Sequence, residues 1–144
     1  MRVYLDNCCY NRPFDDQNQL AVRLETEAKL AIQFQMRTGL VEYVWSDELV
    51  KEANDCPFLK RREKILPWGL NASVFVEITQ EIEAMATRIM LSGIKTADAL
   101  HLACALHAGC DWFFTTDKGI LKKFRSIGSM RVANPIEYIQ EIQQ

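Results

Sequence analysis

Residues 95–117 constrain the fold more tightly than any other stretch. Ala99, Leu100, Leu102, Ala103, Ala105 and Leu106 give a helix that is apolar on most of its sides. A helix of that kind is buried against a sheet. A turn at Gly109 leads into Trp112-Phe113-Phe114-Thr115, a strand without polar alternation, as expected in a parallel sheet covered on both faces. Asp98 stands at the start of this helix, with Thr96 as its expected N-cap, and Asp117 stands where the strand stops. A carboxylate at the end of a core element is costly in apolar surroundings unless something pairs with it. A divalent metal is one such partner.

The remaining chain supplies further strands and helices. Arg2-Val3-Tyr4-Leu5 reads as a strand leading into Asp6 and Asn7, and Cys8 to Pro13 as a loop, since Pro13 disfavours a helix before it. Leu20, Leu24, Ala28 and Ala31 recur at helical spacing, which predicts a helix from about Asp16 to Met36, capped by Asp15 or Asp16 and stopped at Gly39. Leu40 to Trp45 is the second strand. Ser46 follows as an N-cap for a helix through Ala53. The charged run Lys60-Arg61-Arg62-Glu63-Lys64 predicts a short exposed helix. Phe75, Ile78, Ile82, Met85 and Ile89 predict an amphipathic one, so the region from Cys56 to Gly93 reads as helical without a strand. Lys118 to Phe124 forms a short helix that Asp117 can cap, Met130-Arg131-Val132 a further strand, and Asn134-Pro135 the start of a last helix. The alternation predicts a three-layer α/β/α fold around a parallel sheet of four or five strands, as a single domain spanning residues 1–144.

Composition narrows the function classes. Nearly half of the 144 residues are apolar, which argues against disorder. No apolar run is long enough to span a membrane, and the N-terminus has no signal-peptide layout. Five cysteines without a C-x-x-C pair suit free thiols in a reducing cytoplasm better than disulfides or zinc. Cys104 and Cys110, with Met36, Met85 and Met90, read as packing residues. A net charge of -2 gives no general case for nucleic acid, so any such binding must use local basic patches.

Sites in open parallel sheets form beyond the carboxyl ends of the strands. Asp6 and Asp117 are expected there, Asp98 in the first turn of its helix, and Glu52 about two turns past the second strand. Together these carboxylates need a cation. Oxygen ligands suit Mg2+ or Mn2+. Each acid also has a plainer reading: Asp6 as a turn residue, Glu52 as helix surface with Glu42 and Glu48 as rivals, Asp98 at the helix dipole, and Asp117 as a cap. His101, three residues after Asp98, can hold a carboxylate in place or be a satisfied core residue.

Four segments then carry a family likeness: Tyr4-Leu5-Asp6-Asn7, Ser46 to Glu52, Thr96-Ala97-Asp98-Ala99-Leu100-His101-Leu102-Ala103, and Phe114-Thr115-Thr116-Asp117. In order and spacing the chain resembles a PIN domain, the metal-dependent ribonuclease fold that includes toxins of toxin–antitoxin pairs. The resemblance implies that Asp6, Glu52, Asp98 and Asp117 bind Mg2+ or Mn2+, and that metal-activated water hydrolyses RNA. It implies that Thr115 or Thr116 shapes the site, and that the chain forms a homodimer held inactive by an antitoxin. The family's opening pattern is often Asp-x-Asn, whereas Cys8 follows Asn7 here, so Asn7 or Asn11 is expected to take the amide's place. Candidate contacts to single-stranded or structured RNA are Arg12, Lys60 to Lys64, Lys118, Lys122, Lys123 and Arg125, with Tyr10, Trp45 and Trp68 as candidate stacking partners. Phe58, Leu59, Leu66 and Trp68, or the exposed side of the helix from 75 to 90, are a candidate partner surface. A catalytically silent PIN-like binding module is the alternative reading.

Overall fold

A computed structural model of the chain describes residues 1–143. Its elements run β1 (Arg2–Leu5), α1 (Asn7–Asn11), α2 (Leu20–Arg37), β2 (Glu42–Ser46), α3 (Asp47–Asp55), α4 (Leu59–Ile65), β3 (Val74–Val76), α5 (Gln80–Met90), α6 (Thr96–His107), β4 (Trp112–Phe114), α7 (Lys118–Lys123), β5 (Ser126–Ile127), β6 (Met130–Ala133) and α8 (Pro135–Ile142). The strands form one six-stranded sheet in the order β3-β2-β1-β4-β6-β5. All neighbours are parallel except β5 and β6.

The chain moves outward from β1 to β3, then crosses back over β1 to β4. Right-handed crossovers therefore put α2 on one face and α5 with α6 on the other. α5 and α6 pack on each other, as do α2 and α8. This is the expected three-layer arrangement. The reversal makes the gap between the ends of β1 and β4 a topological switch point, where ligands bind in open α/β sheets. The Asp6 N–H donates to the Phe114 carbonyl at 2.9 Å and locks the two strand ends together there.

The 95–117 stretch behaves as its composition dictates. Ala99, Leu102, Ala103, Cys104, Phe113 and Phe114 are all fully buried, and Tyr4 stacks on Phe113 at 5.4 Å. Burying one such large apolar side chain stabilises the fold by about 1.5–3 kcal/mol. Cys110 and Met36 are also core, whereas Met90 is exposed.

Several expectations are corrected. The sheet has six strands, not four or five, because β3 and β5 are very short. β3 lies inside the region expected to be all helix. Its Phe75 is exposed, and the apolar stripe of α5 is Ile82, Ala86 and Ile89. Cys8 to Pro13 is not a loop. The Asp6 side chain accepts from the Asn7 N–H and starts α1, and Pro13 sits in a following 3-10 turn, Arg12–Phe14, where its missing N–H costs nothing. α2 begins at Leu20, after Gln19, without a side-chain cap; Asp16 instead accepts from the Asn18 N–H. Its buried face is not the Leu20, Leu24, Ala31 stripe but Val22, Glu25, Thr26, Ala28, Lys29, Ile32, Gln33 and Met36. Lys95, not Thr96, precedes α6, and no side chain caps it. Among the described residues, no helix is long and apolar enough to cross a membrane.

Candidate metal centre

Asp6 leaves β1 with both carboxylate oxygens engaged. Its Oδ1 accepts from the Asn7 N–H at 2.8 Å, and its Oδ2 accepts from the Thr115 hydroxyl at 2.8 Å. Thr115 in turn accepts from the Asp117 N–H at 3.0 Å. One buried hydroxyl thus ties the acid after β1 to the acid after β4. Asp117 also caps α7, accepting from the Ile120 N–H at 3.1 Å. The cap and cleft readings of Asp117 hold together. Gly119 belongs to this turn, because a Cβ there would stand 2.9 Å from Asp117 Oδ1.

Asp6, Glu52, Asp98 and Asp117 line one cleft of about 370 Å3, together with Asn7, Cys8, Asn11 and Asp15. Glu52 reaches it from the second turn of α3, which Ser46 caps by accepting from the Leu49 N–H. Of its rivals, Glu42 lies at the opposite end of β2, exposed and paired with Arg2, and Glu48 is buried outside this lining.

The fully buried His101 stands behind the acids. Its Nε2 lies 2.9 Å from Glu52 Oε2 and 3.7 Å from Asp6 Oδ1. The shorter contact has the distance of an ion pair but not the alignment of a hydrogen bond, so Nε2 stays without an aligned partner. Among the described residues, Asp6, Glu52 and His101 offer ligand atoms all within 4.8 Å of one another. This triad, with Asp6 and His101 buried and Glu52 half-buried, can coordinate a divalent metal ion.

Electrostatics record the crowding. Burial, and then the charges of Asp6 and Asp117, push the Asp98 carboxyl up to about 6. Burial opposes charge on His101, but Glu52, Asp6 and Glu48 outweigh it and push the imidazole up to about 9. Without an ion the cluster thus holds protons near neutral pH.

The other expected residues fall into three groups. Asn7 and Asn11 line the cleft, and Lys118, exposed, opens a basic furrow with Lys122, Lys123 and Arg125. Thr116, Thr115 and Ser46 are buried in its framework. Arg12 is spent on ion pairs with Asp15 and Glu25 at 2.8 and 3.0 Å. Tyr10 and Trp45 are buried against each other, and Trp68 lines a separate cleft with Tyr43 and Arg37.

Two framework residues were missed in the sequence. Cys8 stands where an amide was expected. Its thiol lies 3.5 Å from Asp6 Oδ2 and accepts from the Thr116 N–H at 3.3 Å, while Asn7 and Asn11 line the same cleft. The break in the Asp-x-Asn pattern was its signal. Tyr4 joins His101 Nδ1 to Ser46 at 2.6 and 2.7 Å. Nothing in a strand pattern sets that tyrosine apart from a packing residue.

The fold and the site define a class: a three-layer α/β/α domain with an acid-lined cleft at its switch point. The chain belongs to the PIN domain family, whose sequence pattern matches residues 21–126. It is similar in fold to FitAcB from Neisseria gonorrhoeae, with a TM-score of 0.61 and 18% identity, covering 92% of this chain and 97% of that one. It is likewise similar to VapBC2 from Rickettsia felis bound to a DNA fragment from their promoter, with a TM-score of 0.57 and 10% identity over 93% and 98%. No curated protein matches the sequence at a significant level.

Proposed function

We propose that the chain is a divalent-metal-dependent endoribonuclease that hydrolyses RNA phosphodiester bonds and is restrained by a protein antitoxin. One observation carries the reading: Asp6, Glu52, Asp98 and Asp117, from four separated segments, share a single cleft backed by a buried imidazole nitrogen without an aligned hydrogen bond. Such a cluster is costly without a cation, and the raised pKa of Asp98 reflects that cost. The oxygen-rich donor set fits Mg2+ or Mn2+, with Asp6, Glu52, Asp98 and Asp117 as the residues that would hold it. A bound ion of this class supplies positive charge that acidifies water and offsets charge developing on a phosphate.

The chain's own residues do the rest. Thr115 and the Asn7 N–H fix both oxygens of Asp6, so that carboxylate is presented without conformational freedom. Asp98 and Asp117 line the same cleft and are half-exposed. The furrow of Lys118, Lys122, Lys123 and Arg125 begins one residue past Asp117 and offers phosphate contacts along a single strand. Asn7 and Asn11 supply polar contacts at the cleft wall. Arg12 is paired with Asp15, itself a residue of the cleft lining, and with Glu25.

The family likeness supports a second copy and an antitoxin as partners. Apolar surface for the antitoxin is present at Phe58, Leu59 and Leu70, which are exposed around a groove also lined by Leu66 and Pro67. Purified protein is expected to cleave a labelled single-stranded RNA with Mg2+ or Mn2+, to stop in chelator, and to lose cleavage in Asp6→Asn. Cleavage that persists in Asp6→Asn would falsify the mechanism. RNA binding without cleavage under any metal identifies the silent binding module instead.

A further inference from the structure

We infer that His101 Nε2 is a direct ligand of the metal, and that the site therefore takes first-row transition ions ahead of Mg2+. The inference rests on the metal-centre reading of the same cleft and goes beyond its carboxylates. His101 is held from behind. Its Nδ1 lies 2.6 Å from Tyr4 Oη, which lies 2.7 Å from Ser46 Oγ. Ser46 Oγ already accepts from the Leu49 N–H. In the metal-bound state, protons running from Nδ1 to Tyr4 and from Tyr4 to Ser46 would leave the Nε2 lone pair free to ligate. This is the anchoring found for ligating histidines, whose second nitrogen donates to a fixed partner that sets tautomer and ring orientation.

Nε2 faces two carboxylates, 2.9 Å from Glu52 and 3.7 Å from Asp6, so without an ion a proton on the ring offsets them, and a metal ion would take that proton's place among the same three groups. That proton has no well-aligned acceptor, whereas an ion there would meet a ligand atom from each of Asp6, Glu52 and His101. The spacing fits one ion. Ligands about 2.1 Å from an ion and at right angles stand about 3.0 Å apart. Nε2 is 2.9 Å from Glu52 and 3.7 Å from Asp6. Mg2+ prefers oxygen and keeps much of its water, whereas imidazole favours transition ions. His107, the other histidine of the chain, is exposed at the far end of α6 and lines a different cleft with Arg2.

The test uses Mn2+ alone as the probe on the full chain. Pulsed electron paramagnetic resonance of the Mn2+-loaded wild type is expected to show nitrogen coupling that changes isotope on 15N-histidine labelling and survives His107→Gln. His101→Gln is expected to abolish the coupling and to weaken Mn2+ by about tenfold or more, with a smaller loss for Mg2+. Tyr4→Phe is expected to keep the coupling but weaken Mn2+ by about tenfold. Mn2+ bound without nitrogen coupling, or equal losses for Mn2+ and Mg2+ in His101→Gln, would overturn the inference and leave the carboxylate centre standing. Failure of the wild type to bind Mn2+ at all would overturn the centre itself. The labelling measurement needs no variant, so a misfolded His101→Gln does not decide the matter.

Discussion

Asp98 and His101 give the residue scale its sharpest consequence. Asp98 is raised to about 6 and His101 to about 9, so each favours the folded state when protonated. The Asp98 contribution is complete below its usual 3.8 and is lost as pH rises through about 6. The His101 contribution is complete below 6.5 and is lost through about 9. Asp98 is faced by Asp6, Asp117, Glu52 and His101, and His101 by Glu52, Asp6, Glu48 and Tyr4. Metal-free protein is thus expected to lose stability in two steps from pH 4 to 9, read by urea unfolding in chelator. The lower step should vanish in Asp98→Asn. Metal competes with the same protons, so affinity should climb over the same range, and an affinity flat between pH 5 and 7 would contradict the assignment. Thr115 gives a second prediction. Thr115→Val leaves the Asp117 N–H unpaired and Asp6 Oδ2 with only the longer Cys8 thiol contact, and should weaken metal binding by about tenfold by calorimetry, while Thr115→Ser retains it.

At the scale of the element, α2 is the instructive case. Its inner face buries Glu25, Thr26, Lys29 and Gln33, while Leu20, Leu24, Leu30 and Phe34 face outward. Hydrophobic spacing was a poor guide here because several inner positions are polar. Glu25 is satisfied by Arg12 and Asn134. Lys29 is not so served: burial lowers its pKa to about 8, and its ammonium lies 5.8 Å from the centre of the Tyr10 ring. Lys29→Met should therefore stabilise the protein by about 1–3 kcal/mol, measured by denaturant unfolding at pH 7. A loss of stability would mean that the ammonium has a partner that burial and distance do not reveal. The helix starts that were read correctly had a local chemical cause. Ser46, Asp117 and Asn134 each accept from a main-chain N–H within three residues, a bond that sequence neighbours can make alone. β3 and β5 had no such mark, since pairing with β2 and β6 is what makes those few residues strands.

For the whole molecule, a metal that binds only the folded state raises the melting temperature. At a hundredfold excess over its dissociation constant, an ion contributes about 2.7 kcal/mol, which corresponds to a shift of roughly 5–10 °C for a chain of this size. Differential scanning calorimetry should show that shift with Mn2+, its reversal by chelator, and its absence in Asp6→Asn. The layers, most of the strands and the identity of the acids could be read in the linear chain, because period, caps and a buried helix and strand are local properties. Asp6 and Asp117 were readable for the same reason, since both end strands, whereas the switch point between them is set by the strand order of the folded sheet. Glu52 could be separated from Glu42 and Glu48 only in three dimensions, by which turn of α3 looks into the cleft. The chain fold alone also set Cys8 on Asp6, Tyr4 on His101, and His101 between Asp6 and Glu52. Those contacts join residues far apart in the chain or across a helix start whose shape depends on its neighbours. The sequence by itself determined which acids stand at strand ends; tertiary packing decided what holds them and which nitrogen faces them.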